Sequence, residues 1–146
     1  MVIMRRDEAA KKCGYSSQSY IWALEEGLLP NYTPGVFLQQ DNAKIHVSRL
    51  TQAFLERHGI WVIDWPSHNP DLNPIEHVWK KMKDILHMNY PYLCYLKNNI
   101  LDEEKFEAAL KDSWDKVPQD FIDKLIDSMH RRLEAVRKAK GWYTKY

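Results

Sequence analysis

Strand, helix, strand is the pattern that most limits what this chain can fold into. Val36–Gln40 (VFLQQ) is an apolar run that opens after the turn NYTPG, and Ile60–Trp65 (IWVIDW) is a second one. Neither alternates apolar with polar residues, as a strand with one wet face would. Between them VSRLTQAFLERHG has helical spacing, with Ser48 as N-cap, Leu50, Ala53 and Phe54 as the apolar stripe, and Gly59 as the stop. Two apolar strands joined by a helix make a βαβ unit: parallel, right-handed in its crossover, with both sheet faces covered. The expected fold class is α/β.

Helices account for most of the rest. In GYSSQSYIWALEEGLLP, Ser16 or Ser17 can cap a helix, Tyr20, Ile21 and Leu24 share a face, and Gly27 closes it. After the proline-rich loop PSHNPDLNP, Ile75, Val78, Trp79, Met82, Ile85 and Leu86 recur at the spacing of one helix face. NYPYLCYLKNN reads as a loop packed on the body. LDEEKFEAALKDSW and PQDFIDKLIDSMHRRLEAVRKAK read as two further helices. The last carries Ile122, Leu125, Ile126, Met129, Leu133 and Val136 as one unbroken stripe, with Pro118 in its first turn. At 146 residues this is one domain, organised as a core over 1–88, a loop over 89–101 and a C-terminal helical extension over 102–146.

Charge is neutral on the question of nucleic acid, because the net value is +1. Basic residues do collect late, at Arg131, Arg132, Arg137, Lys138, Lys140 and Lys145. Such a run serves as a solvated helix face or as a set of DNA-phosphate contacts. Cys13 and Cys94 stand far apart and form no metal motif, which fits free thiols in a reducing compartment. No apolar run approaches the ~20 residues of a membrane span, and the first residues lack a secretory core. Nuclear or cytoplasmic residence, without secretion and without a membrane partner, is the expectation.

Two carboxylates stand out. Asp41 follows the first strand at its carboxyl end, where open α/β sheets bind their ligands. An Asx turn is the structural use of the same residue. Glu76 falls in NPIE, where Asn73 can be N-cap, Pro74 the first helical residue and Glu76 the capping-box partner. Taken together, the two acids flank one edge of a parallel sheet and offer the oxygen ligands that hard cations such as Mg²⁺ require. Asp64 and Asp71 read as turn residues. His46 can orient a phosphate or a water, or pack. His68 and His77 match no zinc spacing.

The segment QQDNAKIHVSRLTQAFLERHGIWVIDWPSHNPDLNPIEHVWKKMK resembles the catalytic core of the mariner superfamily of DNA transposases, in its Tc-type branch. The resemblance rests on an Asp in a DNA-x-x-H setting and a Glu in PDLNPIE-x-x-W. The closing MHRRLEAVRKAKGW is similar to the C-terminal end of these proteins, fungal ones above all. The resemblance implies a ribonuclease-H-like fold and a DDE site holding two Mg²⁺ or Mn²⁺ ions. It also implies phosphodiester cleavage at transposon ends, followed by strand transfer into target DNA. Asp41 matches the second acid of that site and Glu76 the third; both are then catalytic and metal-binding. DNA is the implied partner, with His46, Arg131, Arg132, Arg137 and Lys138 as candidate contacts, and a homodimer as a further arrangement.

Departures from that pattern set the remaining expectations. The first acid of such a triad lies on a strand well upstream, and only 40 residues precede Asp41. Asp7 and Glu8 fall in the wrong element to replace it. A helix-turn-helix region is absent as well. Lys44 stands where Pro is common, and His130 stands where Pro is frequent, which lets the last helix run on. The expectation is a partial ribonuclease-H-like fold without its first strands, whose VFLQQ strand has an unpaired apolar edge. Such a chain is a C-terminal part of a transposase catalytic domain that does not cleave DNA alone. A non-catalytic relic that binds DNA or protein is the alternative. An unrelated small α/β hydrolase built on Asp41 and His46 lacks a nucleophile.

Overall fold

The computed structural model describes residues 1–10, 13–65, 72–95, 100–140, 142 and 144. The chain divides into two compact units, Met1–Ser67 and His68–Tyr146. It is mixed α/β, mostly helical, with a two-stranded sheet among the described residues. No described helix is long and apolar enough to cross a membrane.

The first unit opens with helix α1, Ser17–Gly27. Ser16 starts it from an extended backbone. Its hydroxyl accepts the N–H groups of Gln18 and Ser19, while the Ser19 hydroxyl accepts the Ser16 N–H. This reciprocal pairing satisfies donors that the first helical turn leaves open. Ile21 and Leu24 face inward. A 3₁₀ turn over Leu29–Asn31 then leads to strand β1, Phe37–Leu38.

Helix α2, Arg49–Arg57, follows, with Ser48 accepting the Thr51 N–H at its N-cap. Its end is built by Gly59, at φ +62. The Gly59 N–H reaches the Glu56 carbonyl and the Ile60 N–H reaches the Leu55 carbonyl. That pair of bonds is a Schellman close, and Leu55 and Ile60 supply its apolar contact. The buried face of α2 is Thr51, Phe54 and Leu55; Leu50 and Ala53, expected in the stripe, are exposed. The stripe is turned because Thr51 can be buried. Its hydroxyl donates to the Ile45 carbonyl at 2.6 Å and so loses nothing by leaving water.

Strand β2, Trp61–Val62, pairs parallel with β1 in the register Phe37 to Trp61 and Leu38 to Val62. The Ile63 N–H extends the ladder to the Leu38 carbonyl. The βαβ order is therefore present, with strands shorter than the apolar runs. Full coverage of the sheet is not. Leu38 packs on the core of Ile21, Leu24, Phe54, Leu55 and Ile60, all from α1, α2 and the start of the second run. Phe37 and Trp61 lie more than half exposed, with their rings 5.5 Å apart. Helices α1 and α2 contribute to that one core, and Phe37 and Trp61 are outside it.

The second unit contains α3 (Pro74–Asn89), a 3₁₀ turn over Pro91–Tyr95, α4 (Ile100–Asp115), α5 (Gln119–Asp127) and α6 (Met129–Lys138). Val78, Met82, Val117 and Leu125 form its core, joined by Ile75, Ile85, Leu110, Trp114, Phe121 and Ile122. Trp79, expected in the buried stripe of α3, is exposed.

The last helix does not run on unbroken. Ser128 closes α5 and opens α6. Its hydroxyl donates to the Leu125 carbonyl at 2.6 Å and accepts Arg132 Nε at 2.7 Å. A serine that bonds back to the preceding turn competes with the backbone ladder and bends a helix. Ile126 and Leu133 consequently leave the stripe and are more than half exposed.

Candidate active site

Asp41 lies three residues beyond β1, in the turn that leads to α2. Its carboxylate is mostly exposed. Oδ1 accepts the Ala43 N–H at 3.0 Å, which is the Asx turn that the sequence allows. The same oxygen meets His46 Nδ1 at 2.7 Å. A carboxylate can only accept from a neutral imidazole, so Nδ1 carries the proton. Among the described residues, Oδ2 accepts no hydrogen bond.

A second layer holds this pair. The Tyr20 ring, from α1, lies 4.2 Å from the His46 ring at a tilt of 38°. The Tyr20 hydroxyl donates to Gln40 Oε1 at 2.7 Å. Burial first, and the Asp41 charge second, push this phenol up to about 12. The adjacent Asn42 donates through Nδ2 to the Trp65 carbonyl at 2.9 Å, tying the turn to the chain beyond β2. The sequence pointed to Asp41 and His46. It did not point to Tyr20 or Gln40 as their supports; Tyr20 was legible only as a helix-face residue.

Glu76 sits in the first turn of α3, exposed, where a negative charge suits the helix dipole. The Asn73 side chain caps no helix N–H, and the Glu76 carboxylate has no side-chain partner among the described residues. The reciprocal capping box therefore does not form. Asp41 belongs to the first unit and Glu76 to the second. His68 and Asp71 lie outside the described residues. Asp64 is exposed at the end of the second apolar run. Asp7 is engaged at both oxygens, by the Ala9 N–H and the Ser16 hydroxyl.

Among the described residues no group of three His, Cys, Asp or Glu gathers to hold a metal ion. The donor chemistry still suits a hard divalent cation, in that Asp41 and Glu76 are exposed carboxylates, each with oxygen lone pairs uncommitted.

The basic residues separate into two kinds. Arg131, Arg137 and Lys138 are exposed on α6. Arg132 is only 3 % exposed, against the expectation of a phosphate contact. Its Nε is bound to Ser128 and its Nη1 donates to His77 Nε2 at 3.0 Å. A guanidinium committed in this way serves the fold of the second unit.

The sequence model of the DDE superfamily endonuclease family matches residues 11–97. The chain belongs to that family. It is 38% identical to the Tc1 transposase of Caenorhabditis elegans over 125 residues, which cover 86% of this chain and 41% of the relative. It is 39% identical to the Tcb2 transposase of Caenorhabditis briggsae over 108 residues, covering 74% and 36%. It is 36% identical to the Tc3 transposase of Caenorhabditis elegans over 106 residues, covering 70% and 29%. The chain thus spans between 29% and 41% of the length of these curated relatives. The Tc-type resemblance holds. Its fungal leaning does not, since these relatives are nematode proteins.

Proposed function

We propose that this chain forms part of a transposase catalytic domain, and that Asp41 and Glu76 are the second and third acids of a DDE site acting on DNA. The observation that carries the reading is the family match over a segment that includes both acids, with each carboxylate exposed rather than consumed by the fold. A partial ribonuclease-H-like architecture is the frame we propose for them, with the βαβ unit delivering Asp41 and α3 delivering Glu76.

Two divalent ions, when bound, supply an activated water or 3′-hydroxyl and stabilise the leaving oxygen. The chain's part is to hold carboxylate oxygens at the strand end and the helix start. Exposed Arg131, Arg137 and Lys138 add positive charge for the phosphate backbone of transposon-end and target DNA. Residence in the nucleus, with the cytoplasm as the alternative, and self-association into a homodimer belong to the same proposal.

The test is titration of the purified chain with Mn²⁺, read by the electron paramagnetic resonance signal of the free ion. Asp41→Asn and Glu76→Gln should each weaken binding. Undiminished binding in both variants would remove these acids from any metal site. Cleavage is a separate matter. With no group of three metal-ligating side chains gathered among the described residues, the chain alone should leave supercoiled DNA intact in Mg²⁺ or Mn²⁺.

A further inference from the structure

The side chain of His46 has a more specific place than a packing residue needs. Its Nδ1 approaches Asp41 Oδ1 at 2.7 Å and the Asp41 carbonyl oxygen at 3.3 Å. The ring is held at its face by Tyr20, which is itself anchored to Gln40. Gln40 immediately precedes Asp41, so the support returns to the backbone that carries the acid. The Ala43 N–H completes the set on Oδ1. One oxygen of Asp41 thus has two donors, and the other has none among the described residues.

We infer that His46 is a positioning residue: it holds Asp41 Oδ1 so that Oδ2 is the single oxygen presented to a divalent cation. This rests on the reading of Asp41 as a metal ligand. A carboxylate on an exposed turn rotates about its side-chain bonds, and either oxygen can face a ligand. Two donors on Oδ1 remove that freedom. A ligand held in one orientation binds a cation more tightly, because less side-chain motion is lost on binding. The contact to Oδ1 also keeps a protonated imidazole nitrogen, rather than a lone pair, against the acid. His46 therefore acts through Asp41 and is not itself a ligand through Nδ1.

Side-chain geometry supplies a test that separates positioning from bulk. Asparagine places its amide nitrogen at the same number of bonds from Cα as His Nδ1. Glutamine places it one bond further, nearer the position of Nε2. We would compare His46→Ala, His46→Asn and His46→Gln with the parent chain, using Mn²⁺ alone as probe. Alongside, ¹⁵N spectra would report the His46 tautomer in the parent, and exchange of the Ala43 amide would report the turn in the metal-free state of each chain.

The inference expects the Nδ1–H tautomer in the parent. It expects ~10–100-fold weaker Mn²⁺ binding in His46→Ala and His46→Gln, and recovery of most of the affinity in His46→Asn. Ala43 exchange should rise in the first two variants and not in the third. Mn²⁺ binding that is equal in the parent and His46→Ala would overturn the positioning role and leave the metal reading standing. Loss of affinity in all three variants would overturn it too, since bulk or folding rather than the donor would then be at stake. A parent chain with the expected tautomer but no Mn²⁺ affinity would refute the metal reading first, and the inference with it.

Discussion

Arg132 Nη1 donates to His77 Nε2 at 3.0 Å, joining residues 55 positions apart within the second unit. An arginine cannot accept, so Nε2 of His77 is the acceptor and its proton sits on Nδ1. The contact ties α6 to the first turn of α3, one residue beyond Glu76. Removing the guanidinium leaves the Ser128 hydroxyl and the His77 nitrogen short of a donor in a buried place. Arg132→Ala should cost about 2–4 kcal/mol of unfolding free energy. Arg132→Lys should recover little, because an ammonium cannot reproduce the two directed bonds. The exposed Arg131→Ala should stay within about 0.5 kcal/mol of the parent. Urea unfolding of the three variants decides it, and equal midpoints for Arg131→Ala and Arg132→Ala would refute the assignment.

DNA binding should divide the same residues differently. Arg131, Arg137 and Lys138 are exposed, and each can neutralise a phosphate. Removing one should weaken binding to any duplex sequence alike and lower the salt slope by about one unit. Fluorescence anisotropy across a salt series gives both quantities. Asp41→Ala should leave the slope unchanged, since it removes no cation.

Caps and stops were the most legible parts of the fold because they are local. Ser16, Ser48 and Gly59 do what their residue types and neighbours dictate. Asp41 and His46 were legible because they stand five positions apart on one turn. What escaped depends on distant partners. The support that Tyr20 gives to His46 crosses from α1, and nothing in the helix periodicity announces it. Arg132 looked like one more cation of a solvated run, and its buried guanidinium is bonded to Ser128 and to the distant His77. The bend at Ser128 follows from a hydroxyl taking a backbone carbonyl, which an apolar stripe does not record. Phe37 and Trp61 read as buried because their runs are continuous, yet neither joins the core that α1 and α2 build with Leu38.

Alkaline pH should act on the candidate site through Tyr20. Its phenol is pushed up to about 12, by burial foremost and then by Asp41. The folded value lies above the ordinary ~10 of a free tyrosine. The stabilisation that accompanies the shift is therefore complete below pH ~10 and is lost as pH rises through about 12. Tyr20→Phe should keep the ring against His46 and abolish this loss. Thermal melting from pH 9 upward, with tyrosinate absorbance recorded in parallel, tests it. An unchanged alkaline profile in Tyr20→Phe would assign the sensitivity elsewhere, with Tyr90 the next candidate. That phenol is also raised, chiefly by its hydrogen bond to Asp112.

Thr51 links the acid-bearing turn to α2. It is fully buried, donates to the Ile45 carbonyl and accepts from the Ser48 hydroxyl. Thr51→Val preserves shape and deletes both bonds, leaving the half-buried Ile45 carbonyl without this donor. The expected cost is about 1–3 kcal/mol, with faster amide exchange from Ala43 to Ser48. Thr51→Ser keeps the hydroxyl and should restore the exchange pattern while losing only a methyl group. If both variants loosen the turn equally, packing rather than the hydrogen bond holds it.

Phe37 and Trp61 form an exposed aromatic pair on the sheet of the first unit. They are cross-strand neighbours on the same face, 52% and 60% exposed, and Val36 beside them is 55% exposed. Contiguous exposed aromatics on a short sheet favour association over solution as monomers. The purified chain should therefore show a weight-average mass that rises with concentration. Light scattering over a hundredfold dilution range measures it. Phe37→Lys with Trp61→Lys should hold the mass at that of one chain, because two like charges on neighbouring strands oppose stacking of a second sheet. The helices should be unaffected, since the core of the first unit is built from Ile21, Leu24, Phe54, Leu55 and Ile60. Association that persists in the double variant would move its cause to other exposed apolar residues, such as Trp142.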